Sequence, residues 1–359
     1  MFTASLGVFL FGLLAALAGG AVGAAIGANY AFVLTGFAVL TSWGVFAATG
    51  NTFGFDYLAF GPFMGPHVAF AGGVAAAIYA RYRGHMEDGK DVNSPLAGLG
   101  KPAILVVGAL FGAFGYVCQI GVSHIAWFGT HTDSVALSVL VSGLLARVVF
   151  GGVPGRGLFR GSLHTPELFS PEAKTFPAKI KPGPNGRWLE WQEKPSQLLA
   201  IGAFFGILAG GASLFLAANV GAHLSELGFA NNLAAANANS FGFGISAIVV
   251  LFLITNRNMP VQHHVTNIAG LAAVQFFPIL MGSTFADFTW TATSAWDSHA
   301  WLMGFLALLL AAVFGVFTAG LGELCARLWY NRGTSHIDPP AASIWLANTV
   351  VVSLAALLS

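Results

Sequence analysis

The chain has 359 residues, of which 56% are apolar and 8% charged, with a formal net charge of +1 and a strongly positive mean hydropathy. A soluble domain carries roughly 25% charged residues, so this composition is that of a polytopic membrane protein. The near-neutral balance excludes an electrostatic case for nucleic acid, and Cys118 and Cys325 lie in apolar segments as small buried hydrophobes, without metal-site spacing.

A membrane helix needs about 20 apolar residues. In chain order the candidate spans are 5–28, 30–48, 65–82, 102–124, 135–152, 197–221, 240–256, 261–282, 301–326 and 341–358. The expected fold is therefore all-α, with about ten transmembrane helices. The first stretch, in "MFTASLGVFLFGLL", has neither the basic start nor the cleavage site of a signal peptide and is expected to remain as a helix. The third and eighth follow "FGPFMGP" and "NRNMPVQH", where Gly and Pro interrupt the apolar run. That pattern predicts broken or re-entrant third spans in each half.

Orientation follows from the basic residues. With ten spans, all 15 Lys and Arg fall on one side, around the loops after spans 3, 5, 7 and 9. The opposite side carries Asp56, Asp133, Glu226, Asp287 and Asp297. The reading is an integral protein of the plasma (inner) membrane, with both termini outside and the basic loops cytoplasmic. The outer loop 283–300 is rich in Trp, Phe and Thr, and its tryptophans read as interfacial anchors.

Four short phrases recur in the same order. "LAGGA" at 17–21 returns at 208–212, and Asn29 in "ANYAF" corresponds to Asn239 in "ANSFGF". "HVAFAGGVAA" at 67–76 aligns without gaps with "HVTNIAGLAA" at 264–273, and "GTHTDSVALS" at 129–138 with "GTSHIDPPAAS" at 333–343. The chain divides into membrane repeat 1 (1–155), a cytoplasmic linker (156–195) and membrane repeat 2 (196–359). Five spans per half is an odd number, so the second half enters the membrane inverted, a recurring design of transport proteins.

The polar residues give two sets of candidates. At the pore mouths, His131 with Asp133 and His336 with Asp338 precede apolar helices. Each Asp reads either as a helix N-cap, with Pro339 at a favoured first helical position, or as half of a cation-attracting or proton-relaying pair. Along the substrate path, His67 and His264 open the third span of each half. His263 and Asn267, four residues apart, share one helical face. These groups read equally as interhelical hydrogen-bonding residues. Glu323 and Arg327 are placed for a helical ion pair, and Arg147 is placed to snorkel towards the inner surface.

The sequence lacks a phosphate-binding loop, a Gly-x-Ser-x-Gly elbow and a His-Glu-x-x-His helix. No enzymatic role and no cofactor is expected. The leading expectation is a channel or facilitator for a small polar solute of the ammonia or urea kind, with the bilayer and that solute as its partners. The five-plus-five plan is similar to that of the urea-channel and ammonium-channel families, and that similarity implies a homo-oligomer with one path per subunit. The alternatives are a proton- or ion-coupled carrier for a small organic anion or metal ion, and a membrane subunit that docks a partner through 156–195.

Overall fold

The computed structural model describes residues 2–151, 188–256 and 258–359; most of the linker and Arg257 fall outside them. The described residues are helical, without strands. In chain order the main helices are α1 (Phe2–Ile26), α2 (Ala28–Thr49), α3 (Ala69–Tyr82), α4 (Pro102–Ser123) and α5 (Ser134–Phe150). They continue as α6 (Pro195–Glu226), α7 (Asn239–Thr255), α8 (His263–Met281), α9 (Ser298–Leu328) and α10 (Pro339–Leu358). Each overlaps one expected stretch. Eight are long and apolar enough to cross a membrane, whereas α3 and α5 have 14 and 17 residues.

The surface fits a helical membrane protein. Phe204 is 73% exposed, Leu208 71% and Leu357 81%. Large apolar side chains this open to water would form an aggregating patch on a soluble protein, and against lipid they cost nothing. The side chains that turn inward are small. Ala, Gly and Ser dominate the buried faces of α3, α6 and α9, which lets helix backbones approach closely.

The helices pack in matching sets. In the first half α1 lies on α3 and α4, α3 on α4, α5 on both α3 and α4, and α2 on α3. In the second half α6 lies on α8 and α9, α8 on α9, α10 on both α8 and α9, and α7 on α8. The halves meet chiefly where α2 crosses α7 and where α5 packs on α10. At the first crossing a Cβ on Gly36 would come within 2.7 Å of the Gly244 carbonyl oxygen, and one on Gly244 within 2.8 Å of Val39. The indole of Trp43 on α2 donates to Ser240 Oγ on α7 at 2.9 Å.

Both phrase aspartates cap helices. Asp133 accepts from Ala136 N and Asp338 from Ala341 N, each at 2.8 Å, and Pro339 follows Asp338 inside the helix start. Ahead of α3 the chain forms one π-helical stretch, Gly54–Ala59, followed by turns up to His67, so the third helix is shorter than 65–82.

Two placements differ from the sequence reading. Trp290 and Trp296 are buried, stacked on Phe277 with ring centroids 5.5 and 5.1 Å away. Asn231 pins this loop by bonding the backbone N–H and carbonyl of Trp290, so these two tryptophans pack into the core rather than anchoring at an interface. Arg147 does not snorkel; it is 3% exposed. Its Nε donates to Ser335 Oγ at 2.6 Å, Nη2 to the Ser335 carbonyl at 2.9 Å, and Nη1 to the Trp329 carbonyl at 2.9 Å. A guanidinium's fixed fork suits several acceptors at once, and here it ties α5 to the loop that leads into α10. That loop is also held by His336 N–H donating to the Gly89 carbonyl at 3.1 Å. The Glu323–Arg327 pair forms on α9 as the spacing suggests, with both side chains largely buried.

Replacing Arg147 with Met is expected to leave the Trp329 and Ser335 acceptors without their donor, at a cost of about 3 kcal/mol. Thermal unfolding in detergent should then shift down by on the order of 5 °C, and an unchanged midpoint would show that the clamp carries no stability. Gly20→Val should also destabilise strongly, because a Cβ there overlaps the Gly108 carbonyl of α4. Gly320→Val, which meets open space, should not.

Candidate functional site

The breaks before α3 and α8 bring polar side chains to the middle of the bundle. Ahead of α8 the backbone leaves the helix at Asn256 and resumes it at His263. Gln192, from the end of the linker, satisfies that interruption. Its Nε2 donates to the Val261 carbonyl at 2.9 Å, and its Oε1 accepts from Val261 N–H at 3.0 Å. Trp188 N–H donates to Asn331 Oδ1 at 3.1 Å, which brings the Trp188 ring to 6.0 Å from that of His264.

Between the halves lies a cavity of about 270 Å³. Half of its lining residues are aligned positions in or next to the recurring phrases. Asn29 and Asn239 line it, as do Asp133 and Asp338, Ala136 and Ala341, and Val139 and Ile344. The gap-free match of the third spans contributes Phe70 with Asn267 and, one residue before it, Pro66 with His263. The pairs agree in position but not always in chemistry. At the third span one half offers Pro66 and Phe70, and the other His263 and Asn267.

Aromatic rings supply part of the rest of the wall, with aliphatic Val135, Val250, Leu253 and Val261 beside them. Phe32 lies with its ring centroid 4.7 Å from that of His263, 5.8 Å from Phe70 and 5.6 Å from Phe243. Phe70 also meets the His336 ring at 5.8 Å. His336 Nε2 is 3.4 Å from Asp338 Oδ1, a long contact. Asn239 Nδ2 donates to Asn267 Oδ1 at 2.5 Å, and Asn29 Nδ2 to Asn93 Oδ1 at 2.6 Å. The Nδ1 atoms of His263 and His336 are buried without a hydrogen-bond partner among the described residues. Among the described residues no Lys or Arg lines this cavity.

A second cavity, about 420 Å³, lies beside it and includes Asp56, Tyr57, His67, Tyr116 and Gln119. The two share Phe60, Val135 and Asn237 as a common partition. Both ring nitrogens of His67 lack a hydrogen-bond partner among the described residues.

The expected site residues thus separate into groups. His263, Asn267, Asp133, His336 and Asp338 come together around the central cavity, and His67 lines its neighbour. His264 does not line either cavity; its imidazole is fully buried against α9, where a Cβ on Gly322 would come within 2.8 Å of Nε2. His131 turns away from Asp133. It stacks on Trp127 with centroids 4.4 Å apart, and its Nδ1 donates to the Trp127 carbonyl at 2.7 Å. Its aligned counterpart His336 is buried beside Asp338, so the two phrases adopt different side-chain arrangements. Trp188 and Gln192 were not expected at the site. They sit in a linker whose Pro, Gly and charges mark it as outside the bundle, and only the tertiary fold brings them back.

Residues 3–359 match one family model, described as a family of unknown function, DUF7973. The chain belongs to that family. No curated protein and no solved structure matches it. In this DUF7973 chain the described residues hold no cluster of three or more His, Cys, Asp or Glu that would bind a metal ion.

Lys90 lies outside the membrane-spanning helices, in the segment joining α3 to α4, with Nζ 4.4 Å from the centroid of the Tyr330 ring. Burial lowers its pKa to about 8; Asp88 opposes the shift and Arg147 adds to it. The folded protein therefore releases this proton near pH 8, whereas the unfolded chain keeps it up to about 10.5. Between those values the unfolded state binds more protons, so stability rises with pH, and it is lost again as pH falls through 8. Thermal melts between pH 7.5 and pH 10 should show this rise, and Lys90→Met should flatten it; a slope unchanged in the variant would assign the effect to another group.

Proposed function

We propose that the chain is an integral membrane transport protein built from two inverted repeats, and that it acts as a channel or facilitator for a small polar solute. The observation that carries the reading is the pairing of aligned positions around one cavity. A wall that takes aligned positions from both halves is what a path along a pseudo-two-fold axis in the membrane plane requires. The matching helix contacts within each half support the same plan. In this reading the ten helices all cross or re-enter the membrane, the termini lie outside, and the basic loops face the cytoplasm. The membrane is the plasma (inner) membrane, and the protein is a homo-oligomer with one path per subunit.

The central cavity is the binding position, with His263 and Asn267 as its polar wall and Asp133 and Asp338 near its two ends. The second cavity, with His67, is an adjoining vestibule, and Phe60, Val135 and Asn237 form the constriction between them. The segment from Trp188 to Gln192 closes the cytoplasmic end.

One observation favours a second reading, a proton- or ion-coupled carrier. Both phrase aspartates belong to the cavity wall, and carboxylates at such a position are the usual carriers of coupling charge.

Flux in sealed proteoliposomes tests both. Urea, ammonia and formate would be followed with and without a pH gradient. The facilitator reading expects downhill flux indifferent to the gradient. His263→Ala with Asn267→Ala should cut it about tenfold, the equivalent of one good hydrogen bond to the solute. Uphill accumulation driven by the gradient would replace the facilitator with the coupled carrier, and absence of flux for every solute would remove transport.

A further inference from the structure

The chemistry of the central cavity is more selective than "small and polar", and its size exceeds that of ammonia or urea. A water molecule takes up about 30 Å³ in the liquid, so 270 Å³ accommodates a solute of several heavy atoms. Among the described residues the wall carries two carboxylates, Asp133 and Asp338, and no Lys or Arg. Each carboxylate commits one oxygen to its helix cap, Oδ1 in Asp133 and Oδ2 in Asp338. The second Asp338 oxygen has only the long 3.4 Å contact to His336.

Two further groups point to a ligand independently of the acids. His263 and His336 are 7% and 6% exposed, both line the cavity, and the Nδ1 of each has no hydrogen-bond partner among the described residues. A buried polar atom without a partner costs free energy that a bound solute or water can return. Part of the apolar lining is aromatic. Phe32, Phe70 and Phe243 meet one another through edge contacts of 5.6–5.8 Å, with Phe32 common to both. Rings grouped in this way present faces that attract a soft cation and tolerate its methyl groups.

We propose that the cavity binds an organic ammonium cation, an alkylated amine of a few carbon atoms, with its charge between the Phe32–Phe70–Phe243 group and the Asp338 carboxylate. This deepens the transport reading, on which it rests, by naming the solute class. An anion would meet two carboxylates and, among the described residues, no Lys or Arg to offset them. A neutral solute would make no use of the carboxylate charge. A bare metal ion would find aromatic faces where oxygen ligands are needed.

The test is a calorimetric titration of the full chain in lipid nanodiscs with choline chloride, compared with its uncharged isostere 3,3-dimethylbutan-1-ol. Choline should bind saturably and about tenfold more tightly than the isostere. Asp338→Asn, which keeps an acceptor for the α10 cap, should remove about tenfold of choline affinity and leave the isostere unaffected. Phe32→Leu should weaken choline several-fold by the same selective pattern. Equal affinity for choline and the isostere would overturn the proposal. Absence of choline binding in protein that still passes urea in proteoliposomes would overturn it and leave the facilitator standing. Absence of choline binding together with absence of any flux would overturn both.

Discussion

A break in a helix inside a bilayer exposes backbone groups that lipid cannot satisfy, and this constraint governs how the chain is built. Each interruption is met by a dedicated partner. Asp133 and Asp338 accept the first amides of α5 and α10. Gln192 satisfies both sides of the Val261 peptide before α8. Arg147 takes the Trp329 and Ser335 carbonyls before α10. Unpaired, such groups would cost several kcal/mol each in hydrocarbon. Paired, they allow non-helical backbone at the centre of the protein, which is where the cavity lies.

The same devices account for the placement of the polar residues. A capped helix start fixes the direction of its first turn, so Asp338 determines where Ala341 and Ile344 face, and Asp133 does the same for Ala136 and Val139. Close glycine crossings then bring the walls together. The α2–α7 crossing at Gly36 and Gly244 sets the separation of the Phe32 and Phe243 rings, and with them the width of the cavity between.

Much of the fold was legible in the sequence, because apolar length is the strongest signal a membrane helix gives. All ten stretches contain helices, and the two aspartates act as the caps that their positions ahead of apolar runs suggested. The recurring phrases also located most of the cavity wall, since Asn29, Asn239, Asp133, Asp338, His263 and Asn267 all border it. What stayed hidden depends on distant partners. Nothing near Arg147 indicates that its acceptors lie in the opposite half. Nothing in the linker marks Gln192 as the complement of Val261. The side-chain directions of His131 and His264 were equally illegible, because His131 stacks on its own near neighbour Trp127 and His264 packs against Gly322 on the distant helix α9.

The Arg147 clamp has a consequence for synthesis. Its acceptor Ser335 lies 188 residues further along the chain. At translation speeds of about 5–20 residues per second, Ser335 leaves the ribosome on the order of 10–40 s after α5. The bond between them therefore closes only once the loop before α10 has been made, and this tie between distant parts of the chain forms late in synthesis.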